Sequence, residues 1–341
     1  MERQTIFITG GSGYIGVPTA YALHHLGFRI VIFDIKQFPK KISGMEEATG
    51  DIRNEAHLKS AMKVYTPDLV IHLAALTSVA DSEKNQKSYH EINVRGTRNV
   101  LSAMHTVSCQ NLIFASSSAV YKESERKMAE DSPIAPLSFY GKTKEEAEHL
   151  IQKEKGLHYG ILRYFNVVGI TEDRLFGESI ENNLKLIPSA LRVGLGKQKN
   201  LYIYGNAYPT PDGTAIRDYV SLEDVVRANV LTVQYLLAFP ESKKFRFREC
   251  NAICNIGSGQ GTSNLEVVHL IEQITKKKIP VVYKKARRET VVSIADITKA
   301  NNMLEWKPKK SRLQDIIQNS NTFMSFRPPS RNLKDAGSIL R

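Results

Sequence analysis

The sequence predicts an α/β protein, a doubly wound parallel sheet followed by a smaller C-terminal α/β lobe. Short apolar runs rich in β-branched and aromatic residues alternate with amphipathic stretches through the first half. That rhythm is the one parallel βαβ units give, with helices on both faces of the sheet. A glycine-rich turn joins the first apolar run to the first helical stretch. Near Val167 the alternation breaks, and segments rich in Gly, Pro and Asn begin.

In chain order, Thr5–Thr9, Arg29–Phe33, Leu69–Leu73, Asn111–Ala115 and Tyr159–Tyr164 read as buried strands, being short and apolar. Tyr14–Leu26, Glu55–Val64, Tyr89–Met104 and Thr143–Lys155 read as the intervening helices. Gly27 stops the first helix, and Asp51 or Asn54 caps the second. Past Val167, helices are expected at Leu186–Gly194, Leu222–Leu237 and Asn264–Thr275, and strands at Ala252–Ile256 and Ile279–Tyr283. The expected division is a dinucleotide-binding domain over 1–166 with returning segments near 217–240, a second lobe over 167–326 and a tail over 327–341.

Composition excludes several classes. No apolar run is long enough for a transmembrane helix, and the N-terminus lacks the charged-then-apolar layout of a signal peptide. Three cysteines are too few and odd in number for a disulfide framework, so a reducing cytoplasm is expected. Cys250 and Cys254 lack a second pair or a nearby histidine, so no metal is expected. The net charge is +12, but the basic residues are scattered, with runs only at Lys276–Lys278 and Lys307–Lys310. A solvated basic surface that attracts a diphosphate-bearing substrate is expected rather than a nucleic-acid partner.

The turn Thr9-Gly10-Gly11-Ser12-Gly13-Tyr14-Ile15-Gly16 opens the first helix. Gly11, Gly13 and Gly16 satisfy the G-x-G-x-x-G spacing of the Rossmann fold; Gly10, Gly13 and Gly16 satisfy a wider spacing. Such a turn needs a residue tolerant of positive φ, a bare backbone beside a pyrophosphate and a close helix–strand contact. The helix N-terminus at Tyr14 and Ile15 then offers N–H groups to the anion. Asp34 ends the second strand about twenty residues on, where a carboxylate accepts from ribose hydroxyls and repels a 2′-phosphate. NAD is therefore the expected cofactor. Asp51-Ile52 and Leu73-Ala74-Ala75 stand at further strand ends that face such a ligand.

Tyr140 and Lys144 lie four residues apart, one turn apart on one helix face. The ammonium is expected to favour the phenolate and so make Tyr140 a general acid/base. Ser116-Ser117-Ser118 leave a strand end upstream, where a hydroxyl can bridge substrate and Tyr140.

With these motifs in this order, the chain resembles the extended short-chain dehydrogenase/reductase family, and within it the nucleotide-sugar 4-epimerases. The likeness runs from about Thr5 to Phe323. It includes Val70-Ile-His-Leu-Ala-Ala75, Asn93-Val-Arg-Gly-Thr97, Leu162-Arg-Tyr-Phe-Asn166, Tyr208-Pro-Thr-Pro-Asp-Gly-Thr214, Arg217-Asp-Tyr219 and Asn255-Ile-Gly-Ser-Gly259. The resemblance implies Ser117 as the catalytic serine, and Leu73, Ala74, Ala75 and Asn93 as lining for NAD. It implies Asn166, Arg217 and Arg288 as contacts to UDP, Tyr204 as a platform for uracil, and a homodimer. The implied reaction has Tyr140 taking the 4-hydroxyl proton while hydride passes from C4 to NAD; the 4-keto sugar turns over and hydride returns to its other face. Dehydratases of similar sequence carry Thr-Asp-Glu where this chain has Ser117-Ser118-Ala119, which counts against dehydration.

The chain departs from the family pattern after Glu289, where Thr290-Val291 replace Gly-Asp. Ser293 stands where some epimerases carry a tyrosine, leaving room for an N-acetyl group. A nucleotide-sugar reductase and a non-catalytic dinucleotide-binding sensor are the alternative readings.

Overall fold

A computed structural model describes residues 3–38, 44–171, 173, 176–177, 185–238, 251–287 and 289–325. The first half runs β1 (Thr5–Thr9), α1 (Gly16–His25), β2 (Arg29–Asp34), β3 (Met45–Thr49), α2 (Glu55–Tyr65), β4 (Leu69–His72), α3 (Val79–Ser82), α4 (Gln86–Tyr89), α5 (Gly96–His105), β5 (Asn111–Ser117), α6 (Phe139–Lys153) and β6 (His158–Tyr164). The second runs β7 (Asn166–Val168), α7 (Leu186–Gly194), β8 (Leu201–Tyr204), β9 (Ile216–Ser221), α8 (Leu222–Leu237), β10 (Asn251–Ile256), β11 (Gly261–Ser263), α9 (Asn264–Thr275), β12 (Val281–Lys284), β13 (Val292–Ser293), α10 (Thr298–Leu304) and α11 (Leu313–Ser325).

Seven parallel strands form the main sheet in the order β10-β6-β5-β4-β1-β2-β3. Strand order reverses direction between β1 and β4, which opens a crevice at the C-terminal ends of those strands. One face packs on α1, α8 and α10 and the other on α2, α5 and α6. Strands covered on both faces need apolar side chains throughout, which is why they read as continuous runs. The edge strand β3, Met-Glu-Glu-Ala-Thr, is instead half-exposed, and Glu46 pairs with Arg29 of β2 at 2.7 Å.

The expected helix Tyr89–Met104 is one helical rod, but His90–Arg95 forms a π-turn between α4 and α5. Such turns cluster at functional sites. The smaller sheets centre on β9, which pairs with β11, β13 and β7, and on the parallel pair β8–β12. Their core lies among α7, α9, α11, β8 and β9. The strand β10 hydrogen-bonds to β6 in the main sheet. The tail over 327–341 and Cys250 lie outside the described residues.

Candidate active site

Four-residue spacing put Tyr140 and Lys144 on one face of α6, and local capping holds that face in place. Ser138 accepts from the Gly141 N–H, while the Phe139 and Tyr140 N–H groups donate to Glu83 and Ser82 beside α3. The otherwise unpartnered first turn is thereby satisfied. Gly141 is required by space, because a Cβ there would lie 2.2 Å from the Ala119 carbonyl oxygen. The helix can therefore press against the chain as it leaves β5.

That approach brings Ser117, at the end of β5, close enough to the Tyr140 phenol to pull its pKa down against burial. Ser117 Oγ also accepts from the Ala119 N–H at 3.2 Å. Ser116 is committed elsewhere: it donates to Glu148, which is paired at 2.7 Å with Arg163 in a site where both side chains are buried. Lys144 is buried, donates to the Ala115 carbonyl at 2.8 Å and lies 4.7 Å over the Phe114 ring.

The electrostatics differ from the sequence expectation. Burial pushes the Tyr140 phenol up to about 12, with the Ser117 hydrogen bond pulling the other way. The Lys144 ammonium is not among the causes. Burial pushes Lys144 itself down to about 7, against the opposing pull of Glu148. Desolvation thus outweighs charge pairing in the protein alone.

The glycine turn joins β1 to α1, at the end of the main sheet where the crevice opens. Gly10 has φ +70°, and a Cβ there would meet the Ala74 backbone nitrogen at 2.6 Å. A Cβ on Gly16 would lie 2.4 Å from the Gly10 oxygen, whereas one on Gly13 would meet only that oxygen, at 3.1 Å. Both spacings contain constrained positions, since a Cβ on Gly11 would meet the Ile32 side chain at 2.8 Å, but only the wider one includes the positive-φ Gly10; Gly13 is the least crowded of the four. Tyr14 and Ile15 lead into α1, whose N-cap has no side-chain partner. The Tyr14 hydroxyl donates to the Gly169 carbonyl at 2.7 Å. Asp34 accepts from the Ser12 and Lys36 N–H groups, each at 3.0 Å, and each carboxylate oxygen retains acceptor capacity. Leu73, Ala74 and Ala75 follow β4 and are half-buried beside the turn. A positive-φ turn, a bare glycine, an open helix N-terminus and a strand-end carboxylate together fit a dinucleotide.

Three expected cofactor residues are differently engaged. Ile52 is a core residue whose side chain packs against Gly96 at the start of α5. Asp51 accepts from the Arg53 backbone and guanidinium, and that pairing lowers its pKa. Asn93 sits in the π-turn with its amide spent on protein: it accepts from Leu76 N–H and donates to the Leu76 carbonyl and Thr143 hydroxyl. It clamps the loop after β4 to α6 and has no N–H left for a ligand.

Across the crevice, Asn166 opens β7 and is half-buried. Arg217 on β9 donates to the Ile216 and Val291 carbonyls and pairs with Glu289 at 3.4 Å. Tyr204 ends β8, and the Arg287 guanidinium lies 3.3 Å above its ring centroid. Arg288 lies outside the described residues. Val291 N–H donates to Glu123, in the loop that follows Tyr121. Asp218, which sequence reasoning placed in a motif without a role, is buried and accepts from Ser258, Gly259 and Ala295 N–H groups at 2.6, 2.9 and 3.1 Å. It ties two loops to the strand that carries Arg217. Asp212 does similar work, accepting from Thr214 and from Ser263, the N-cap of α9. The signal for both was the unusual density of Asp, Gly and Thr in those runs.

The comparisons with known proteins agree with this geometry. Residues 6–257 match the model of the NAD dependent epimerase/dehydratase family, and the chain belongs to that family. It is 33% identical over 324 residues to the UDP-glucose 4-epimerase of Halalkalibacterium halodurans, covering 93% of this chain and 94% of that one. The UDP-glucose 4-epimerase of Brucella ovis, solved in complex with NAD, superposes with a TM-score of 0.84 at 33% identity, covering 94% of this chain and 98% of that one. The enzyme of Bifidobacterium longum, solved in complex with NAD+ and UDP, gives 0.83 at 28% identity over 94% and 98% of the two chains. Among the described residues, no helix is long and apolar enough to cross a membrane.

Proposed function

We propose that this protein is a UDP-hexose 4-epimerase that interconverts gluco and galacto UDP-sugars, N-acetylated ones included, with NAD as retained cofactor. The observation that carries the reading is the approach of Ser117 to the buried Tyr140 phenol, with buried Lys144 one helical turn away. NAD, when bound, supplies the hydride acceptor and donor for C4 of the sugar. Gly10, Gly13, Tyr14, Ile15 and Gly16 hold its pyrophosphate end, Asp34 its adenosine ribose, and Leu73, Ala74 and Ala75 its flank. Ile52, Asp51 and Asn93 contribute by fixing the walls. Tyr140 takes the proton from the sugar O4 and returns it, with Ser117 sharing the hydrogen bond and Lys144 steadying the phenolate. A phenol raised to about 12 is a weak base at neutral pH, so the positive charge that arrives with the cofactor is part of the activation.

Asn166, Tyr204, Arg217 and Arg288 are the proposed UDP contacts. Ser293 is buried and stands in register with Arg217, which supports the reading that a small side chain here leaves room for an N-acetyl group. The proposed division is a dinucleotide domain over 1–166 and a nucleotide-sugar lobe over 167–326. A cytoplasmic homodimer goes with this reading. Asp34 counts against an NADPH-linked reductase.

The test is to denature purified protein, assay released NAD, and then measure UDP-galactose and UDP-N-acetylgalactosamine interconversion without added cofactor. Bound NAD and cofactor-free turnover are expected. Stoichiometric cofactor consumption would replace the reading with a reductase, and refusal of the acetylated sugar would remove the claim on Ser293.

A further inference from the structure

His72 ends β4 beneath the crevice and is 1% exposed. Its Nδ1 lies 2.7 Å from Thr9 Oγ1 and its Nε2 lies 3.0 Å from Thr97 Oγ1. The protons in this group can be assigned. Thr97 Oγ1 donates its single proton to the Asn93 carbonyl at 2.6 Å, so toward His72 it can only accept. The imidazole proton is therefore on Nε2. Nδ1 is then an acceptor, and the Thr9 hydroxyl must donate to it. Burial keeps the ring neutral, pushing its pKa down to about 3, with the Lys144 charge acting in the same direction.

The chain of bonds continues past Thr97. Asn93 donates from Nδ2 to Thr143 Oγ1 at 3.0 Å, and Thr143 Oγ1 donates to the Tyr140 carbonyl at 2.8 Å. Thr9 is the residue before Gly10. One directional set of buried hydrogen bonds thus runs from the edge of the glycine turn to the backbone of Tyr140. The His72 ring also stacks obliquely 5.7 Å from Phe114, over which Lys144 sits.

We propose that His72 is a positioning residue whose neutral imidazole, protonated on Nε2, couples the glycine turn to the helix carrying Tyr140 and Lys144. The proposal deepens the epimerase reading and rests on it. A histidine that merely fills the core would tolerate an apolar replacement with loss of stability alone. A coupling histidine loses cofactor retention and turnover when either of its two bonds is removed.

The experiment has two arms. In the first, nitrogen NMR of imidazole-labelled full-length protein reads the tautomer. His72 is expected neutral with the proton on Nε2 across about pH 5 to 8, the window in which free histidine titrates. Titration in that window, or a proton on Nδ1, overturns the proposal, and this arm is independent of any enzymatic activity. In the second, His72→Leu is expected to cut kcat by about tenfold, the scale of one buried hydrogen bond. KM for UDP-galactose should stay within about twofold, since the UDP contacts are untouched. The variant should also retain less NAD on purification, and His72→Gln should recover part of both losses. Thr97→Val is nearly isosteric and keeps the test open if His72→Leu fails to fold. Its loss of kcat should be non-additive with that of Thr143→Val, as expected of members of one network. Wild-type kcat and NAD content in the folded variants, with only a lowered Tm, overturns the proposal. A wild-type protein that binds NAD but interconverts no UDP-sugar would sink the epimerase reading, while the tautomer and NAD-retention arms would still decide the role of His72.

Discussion

At the glycine turn, Asp34 is fixed by two backbone N–H groups, and Tyr140 hangs from a helix whose first N–H groups are capped by Ser138, Ser82 and Glu83. Across the crevice, the polar groups hold one another: Glu289 sits on Arg217, and Arg287 covers the Tyr204 ring. The first region is set by backbone and buried hydrogen bonds, so a ligand adds bonds there without breaking any. The second is set by side-chain pairs, so on the proposed reading a phosphate at Arg217 competes with a carboxylate and a base on Tyr204 competes with a guanidinium. Nucleotide affinity in that half is then a difference between two sets of contacts.

The largest test of this contrast is Tyr140→Phe. Turnover of UDP-galactose should fall by about 10²- to 10⁴-fold, the range for loss of a general acid/base, while released NAD stays at the wild-type level. Activity within a few-fold of wild type would remove Tyr140 from the chemistry. Next comes Arg217→Met, which should raise the Kd for UDP by about tenfold or more, as for a lost hydrogen bond to a charged group. Calorimetric titration reads it, and NAD content serves as the control for the other half.

Lys144 provides a third test through pH. Its proton is held less tightly in the folded chain, at about 7, than at the ordinary value of 10.5. The unfolded chain therefore binds more protons between those two values, and the contribution of Lys144 to stability rises with pH across that window. Urea unfolding of wild type against Lys144→Met should show the gap moving in favour of wild type by up to ~1.4 kcal/mol per pH unit. A gap that is flat from neutral to alkaline pH would mean that Lys144 is not desolvated. The smallest effect is expected from Glu289→Gln. Removing a partly exposed ion-pair partner should tighten UDP binding by about two- to fivefold; weaker binding would make Glu289 a ligand contact instead of a competitor.

The same contrast governs what could be read from sequence. Strands buried on both faces and helices with strong apolar faces were legible to within a residue or two at Thr5–Thr9, Leu186–Gly194, Leu222–Leu237 and Asn264–Thr275. The charged edge strand Met45–Thr49 was not identified because edge pairing needs no apolar run, and Leu201–Tyr204 was missed because it is only four residues long, although it alternates buried and outward side chains. The placement of Tyr140 and Lys144 one turn apart on α6, and of the glycine turn between β1 and α1, was legible because their spacing is their geometry, whereas Ser117 was singled out from its two serine neighbours only by the family resemblance. The occupations of Asp51 by Arg53, of Asn93 by Leu76 and Thr143, and of Tyr204 by Arg287 were not. The Asn93 and Tyr204 contacts depend on where a loop returns in space, which no local pattern encodes, whereas Asp51 is taken by a neighbour two residues on. The desolvation of Lys144 and Tyr140 was missed for a related reason: burial is a property of everything packed around α6.

The order in which the main sheet fills has a consequence for synthesis. β6 ends at Tyr164, but its outer neighbour β10 begins only at Asn251. While the chain is emerging from the ribosome, His158–Tyr164 presents a row of unpaired N–H and C=O groups, the template on which foreign strands add. A nascent chain that has emerged only as far as Val167 to Cys250 therefore leaves that row without its native partner.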